Sequence, residues 1–225
     1  EAISPIQNKV GAFLTHPILQ KILTNPKQPL NLRKIMDEGK ILLVNLSKGA
    51  LGEDTSNLLG SLLISRFDLA ALSRSNVDED ERQDFTLFLD EFHNFTTNSL
   101  VLMLSELRKY RLSLVLAHQY LSQLEPTIRD AILGNVGTII AFETGESDAR
   151  QISSYMKPSF TTNDLLALGK YRAAVSLRYG GERQAAFSLE TLPMPLPTEG
   201  YKREQYLRRL SVESYTPTPY SEVTA

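Results

Sequence analysis

Four short runs are apolar at nearly every position: residues 41–46, 85–89, 112–117 and 136–142. Such runs predict strands buried on both faces of a sheet. The stretches between them carry apolar residues at helical spacing. Thr55 or Ser56 can cap a helix through Leu72 whose apolar face is Leu58, Leu59, Leu62, Leu63, Phe67, Leu69, Ala70 and Leu72. Asn98 or Ser99 can cap a second, with Leu100, Leu102, Met103, Leu104 and Leu107, ending in Arg108-Lys109-Tyr110-Arg111. Residues 121–133 read as a helix interrupted near Pro126 and ended by Gly134, 147–156 as a helix stopped by Pro158, and Thr161 or Thr162 as the cap of a shorter helix through Leu168. A fifth strand, 173–179, meets Gly180-Gly181, a hairpin turn that should pair 183–189 antiparallel with it.

The ends read differently. Residues 3–23 fit two short helices broken at Pro17, and 31–36 a turn or two of helix stopped by Asp37-Glu38-Gly39. The polar, acidic stretch 73–84 reads as an exposed loop. Past Leu192, Pro193, Pro195, Pro197, Pro217 and Pro219 predict a solvated, mobile tail with one short helix, 202–210, basic through Lys202, Arg203, Arg208 and Arg209. The expected organisation is a helical lead-in over 1–39, an α/β core over 40–192 and a tail over 193–225. The core should be a mostly parallel, helix-covered sheet, with the tips after Leu89, Ala117 and Phe142 along one edge.

Composition narrows the chemistry. A net charge of -2 gives no global basic field, so nucleic-acid contact would need a local patch or an oligomer's channel. The chain has no cysteine, which removes disulfides and thiolate chemistry, and its three histidines, His16, His93 and His118, are too scattered for a zinc site. The longest apolar segment, 58–72, is interrupted by Arg66 and Asp68 and is too short to span a bilayer. The first residue is Glu1 rather than a methionine, so a fragment with its N-terminal portion missing is expected.

Chemistry concentrates at the strand tips. Asp90 and Glu91 directly follow the run Phe85–Leu89, and His118-Gln119 follows 112–117. Ligands of parallel α/β sheets bind beyond the carboxyl ends of strands, although two acids there can equally open a solvated loop. An Asp-Glu pair in that place suits nucleotide hydrolysis: Asp90 can hold a magnesium ion through water while Glu91 polarises the attacking water. Gln119 on a neighbouring tip can report on a terminal phosphate, and Arg108, Lys109 and Arg111 offer positive charge for a transferred phosphoryl group or simply complement a helix dipole. His93 and His118 flank the tips, as packing residues or as tuners of the site.

Taken together, Phe85-Thr86-Leu87-Phe88-Leu89-Asp90-Glu91, Leu107-Arg108-Lys109-Tyr110-Arg111-Leu112 and Ala117-His118-Gln119 resemble the Walker B strand and following elements of additional-strand P-loop ATPases of the HerA/FtsK superfamily, and most of all TraG/TraD-type coupling proteins of conjugation and type IV secretion. The resemblance covers roughly residues 32–193. It implies a RecA-like fold and a hexameric motor that couples hydrolysis of ATP, with Mg2+, to movement of single-stranded or duplex DNA through a central channel. It further implies a relaxase or other secretion-system protein as partner, and a cytoplasmic location, at the inner membrane only through N-terminal helices outside this sequence. By the same resemblance Asp90 is the magnesium-associated acid, Glu91 the catalytic base, Gln119 the sensor and Arg108 the arginine finger offered to a neighbouring subunit.

One departure limits this reading. No G-x-x-x-x-G-K-[ST] loop occurs: Gly39-Lys40 is followed by Ile41 and Gly169-Lys170 by Tyr171. The chain is therefore expected to be the C-terminal part of a motor domain, without ATPase activity of its own. Two other readings stand beside it: a HerA-like translocase of DNA end processing, and a non-catalytic interaction domain that retains the motor fold.

Overall fold

A computed structural model describes residue 11 and residues 29–96, 98–196 and 200–215. Of the helices expected within 3–23, only Gly11, which is helical, is among the described residues. The fold is mixed α/β, with one parallel strand pair, one antiparallel three-stranded sheet and a small hairpin among the described residues. The chain divides into two compact units, of which residues 60–194 form one.

Outside that unit lie helix α1 (Leu32–Asp37), the single turn α2 (Lys48–Leu51) and the C-terminal helix α8 (Gly200–Tyr215). Asn31 caps α1, its side chain accepting the Lys34 N–H at 2.9 Å. Helix α8 is longer than the predicted 202–210, and none of its residues is buried. Between α1 and α2, residues 41–46 were expected to form a central strand covered on both faces. They make no strand pairing, and Ile41 and Leu43 are 87% and 78% exposed. Apolarity licenses a buried strand only where a neighbour completes its ladder, and no described strand does so.

Helix α3 (Glu53–Leu72) starts two residues before the expected cap, because Gly52 at φ 77° lets the chain turn from α2 directly into it. Its buried stripe is Ser56, Gly60, Ile64, Phe67 and Ala71, whereas Leu58, Leu62 and Leu69 are exposed. Of the expected apolar face, Phe67 is buried and Leu59, Leu63, Ala70 and Leu72 are half-buried, so the buried stripe is rotated from the one that periodicity predicts. Phe67 stacks on Phe85 with ring centroids 5.9 Å apart, which sets α3 against the parallel strands.

Strand β1 (Phe85–Leu89) and strand β2 (Leu112–Leu116) pair in parallel, Phe85 opposite Leu112 through Leu89 opposite Leu116. Helix α4 (Asn98–Glu106) makes the crossover that a parallel pair requires. Burial alternates along both strands: Phe85, Leu87, Leu89, Leu112, Leu114 and Leu116 face inward, while Phe88 is 73% and Val115 45% exposed. The strands are thus covered on one face, not two as their continuous apolarity suggested. Leu100, Met103 and Leu107 from the crossover are each almost wholly buried, each contributing about 1.5–3 kcal/mol.

The stretch 73–84 is exposed at most positions, as expected, but it carries two 3₁₀ turns, and Arg74 within it is fully buried. Its guanidinium Nη1 donates to the carbonyls of Gln83 at 2.9 Å and Tyr110 at 3.0 Å. Arg82 donates in turn to the carbonyls of Arg74, Val77 and Lys109, with its guanidinium 5.3 Å from the Tyr110 ring centroid. These two arginines clamp the chain just before β1 to the chain just before β2.

Beyond β2, a 3₁₀ turn (Leu121–Gln123) precedes helix α5 (Pro126–Asn135). Pro126 begins that helix instead of interrupting one, since the first helical position needs no N–H. Strand β3 (Ile139–Ala141) runs antiparallel to β4 (Arg172–Ser176), which pairs on its other side with β7 (Phe187–Glu190). This is the main correction to the expected topology: β3 belongs to an antiparallel sheet, so the tip after Phe142 does not extend the β1–β2 edge. Helices α6 (Glu146–Ser153) and α7 (Thr162–Leu166) pack together between β3 and β4 in sequence, Thr161 capping α7 as read. The predicted hairpin is present. Strands β5 (Arg178–Tyr179) and β6 (Glu182–Arg183) flank Gly180 and Gly181, whose φ of 61° and 87° fit the turn that two glycines favour.

Candidate active site

The carboxyl ends of β1 and β2 are tied together beyond the strands themselves. Ala117 N–H donates to Leu89 O at 2.9 Å and Phe92 N–H to Ala117 O at 3.1 Å. Between those two bonds the β1 chain reverses, and Glu91 takes a left-handed conformation, φ 49° and ψ 41°. A non-glycine residue there costs about 1–2 kcal/mol, so the surrounding bonds must hold it. Glu91 N–H donates to Asp90 Oδ1 at 3.0 Å, and Glu91 O accepts from Asn94 N–H at 3.1 Å and Asn94 Nδ2 at 3.0 Å. Phe92, 1% exposed, anchors the turn edge-on to the His118 ring at 4.9 Å.

The reversal turns the Glu91 carboxylate toward the β2 tip, where Gln119 Nε2 donates to Glu91 Oε1 at 2.6 Å. On the other side, His93 Nδ1 stands 3.4 Å from Glu91 Oε2. Two residues that sequence reasoning left out complete the arrangement. Gln123 Nε2 lies 3.4 Å from His93 Nε2, while Gln123 Oε1 accepts the Tyr120 N–H at 3.2 Å. Asp148, 6% exposed in the first turn of α6, accepts the Leu121 N–H at 2.9 Å and so fixes the loop that carries Gln119 and Gln123. Nothing in the spacing of Asp148 signals this, because the bond joins residues 27 apart.

Of the residues singled out from sequence, Asp90, Glu91 and Gln119 therefore meet at one tip. Asp90 is exposed there, one carboxylate oxygen engaged by the Glu91 N–H. Arg108 is elsewhere. It lies in the 3₁₀ turn Leu107–Tyr110 that precedes β2, at the amino ends of the strands, roughly 20 Å from Glu91 by strand rise. There it lines an open cleft of about 290 Å³ with Glu79, Asp84, Arg111 and Ser113. Arg111 pairs loosely with Asp84 at 3.6 Å and Asp80 at 3.8 Å, whereas Arg108, exposed, forms no ion pair among the described residues. No group of three or more His, Asp or Glu able to hold a metal ion occurs among the described residues.

Residues 84–157 match the family model of the TraM recognition site of TraD and TraG. The match runs from the residue before β1 past the end of α6, 74 of the 225 residues, and includes Asp90, Glu91, Arg108, Gln119, Gln123 and Asp148. It supports a likeness to the C-terminal region of TraG/TraD-type conjugative coupling proteins. A search of curated proteins finds no match.

Proposed function

We propose that this chain is the catalytic-edge part of an ATP-driven, RecA-like DNA translocase that serves as a coupling protein in conjugative transfer. The observation that carries the reading is the 2.6 Å bond between Gln119 Nε2 and Glu91 Oε1, formed at the carboxyl edge of a parallel pair and inside the TraG/TraD-like segment. In this reading Glu91 accepts the proton of the water that attacks the γ-phosphate, and Gln119 holds the carboxylate until a phosphate oxygen competes for its amide. Asp90, exposed and with one carboxylate oxygen accepting the Glu91 N–H, is the acid for Mg2+ in this reading. A lone protein acid fits this ion, which keeps several waters and takes its other ligands from phosphates. Bound there, Mg2+ would neutralise charge on the β- and γ-phosphates.

These residues contain no G-x-x-x-x-G-K-[ST] loop to cradle the phosphates, and in this reading a hexamer would bring Arg108 of one subunit toward the nucleotide of the next. DNA is the cargo in this reading. The described helices include none long and apolar enough to cross a membrane. The proposed location is cytoplasmic. A TraM-like relaxosome protein is the proposed partner of the matched segment, on the strength of the family's description. That description also favours a second reading, a docking module for such a protein without catalysis.

DNA-stimulated ATPase of the complete translocase with Glu91→Gln tests the first reading. A fall in kcat of at least about 100-fold with nucleotide binding retained is expected. Undiminished turnover would remove Glu91 as base. Wild-type protein that binds a TraM-like partner but never hydrolyses ATP would favour the docking module.

A further inference from the structure

We propose that His93 is a positioning residue for Glu91, and that Gln123 sets its protonation pattern by holding it as the Nδ1–H tautomer. The Tyr120 N–H needs an acceptor, and Gln123 Oε1 provides it at 3.2 Å. That bond fixes the orientation of the Gln123 amide, so its NH2 group faces His93 Nε2 at 3.4 Å. An NH2 group only donates, so Nε2 has to be the unprotonated, accepting nitrogen. The proton then belongs on Nδ1, which is buried and makes no hydrogen bond in the structure, with Glu91 Oε2 the acidic oxygen it faces at 3.4 Å. With Gln119 on Oε1, each carboxylate oxygen of Glu91 faces one donor from a different element.

The arrangement has a consequence for Glu91. A carboxylate in a strained left-handed residue, 37% exposed, would otherwise sample several rotamers. Gln119 holds Oε1 by a hydrogen bond, and the Nδ1–H of this tautomer, placed beside Oε2, limits the swing of the carboxylate from the other side. The loop that presents Gln123 is itself fixed by Asp148 through the Leu121 N–H. His93, Gln123 and Asp148 thus support the acid from behind, in the way that outer groups orient a reacting side chain.

The tautomer is testable on the 225-residue chain by ¹⁵N NMR of the histidine side chains above pH 8, where free imidazoles are neutral. A pyrrole-type Nδ1 and a pyridine-type Nε2 are expected for His93. Gln123→Glu replaces the donor with an acceptor, and Nε2 should become pyrrole-type. An Nε2–H tautomer or an imidazolium in the wild type, or no response to Gln123→Glu, would overturn the proposal. The effect on turnover rests on the proposed role of Glu91 and is read separately. In the complete ATPase, His93→Phe should lower kcat by about 10- to 100-fold with KM for ATP unchanged. His93→Asn, whose amide nitrogen can occupy the place of Nδ1, should restore most of it. Equal kcat for the two variants would contradict positioning. A wild-type protein without ATPase would count against the proposed function alone, and the NMR result would still decide the tautomer.

Discussion

Arg74 is the residue whose role changes most between the linear chain and the fold. In sequence it is one basic residue in a polar, acidic stretch. In the structure it is fully buried and satisfies the carbonyls of Gln83 and Tyr110, the last links before β1 and β2. Buried acceptors left without donors are costly, so Arg74→Met should lower the unfolding free energy by about 2–4 kcal/mol, measured by urea denaturation. The loss should appear with little change in the denaturant slope. Glu91 shows the reverse case. Its place after an apolar run was readable, but its left-handed backbone was not, since φ 49° is imposed by the Asn94 and Phe92 bonds. Sequence reasoning left His93 between packing and tuning, and only the side chains of Glu91 and Gln123 give it a defined task.

At the scale of elements, helix α3 and the turn after Glu91 meet at Gly60. A Cβ there would stand 2.2 Å from the Phe95 ring, inside any permissible contact. Alanine raises helix propensity by about 1 kcal/mol over glycine, yet the ring would have to move and carry the 92–95 turn with it. Gly60→Ala should therefore lower Tm, and in the complete protein it should lower turnover as well, through the displaced Glu91. A rise in Tm would show that the ring yields freely. Asp68, on the same helix, has its carboxyl pushed up by burial and then by the nearby Glu106. An acid raised in the folded state is disfavoured as the anion, so it costs stability at neutral pH and the cost disappears as pH falls through its folded value. Asp68→Asn should stabilise by a few tenths of a kcal/mol at pH 7, after solvent screening, and by nothing well below the carboxylate range. Thermal melts across pH would check the sign.

For the whole molecule, the two edges of the β1–β2 pair separate the residues that the sequence brought together in argument. Asp90, Glu91 and Gln119 share the carboxyl edge, and Arg108 stands at the amino edge without an acid partner among the described residues. If Arg108 acts on a nucleotide, it acts on a neighbouring subunit's. Mixing Arg108→Ala subunits with Glu91→Gln subunits should then restore part of the ATPase activity that each variant lacks alone. No recovery at any mixing ratio would argue against a shared site.

Local pattern determined the strand β1 with its terminal acids, the β2 tip with Gln119, the cap at Thr161 and the Gly180-Gly181 hairpin, because each depends on a residue and its immediate neighbours. Tertiary structure alone decided which way strands pair, which face of α3 is buried and that residues 41–46 form no ladder. Those outcomes depend on what a segment meets across the fold, and an apolar run carries no record of its partner. The same holds at the site: the sequence placed Glu91 beside Gln119, and only the packing of the 118–123 loop on Asp148 brought Gln123 and His93 to complete it.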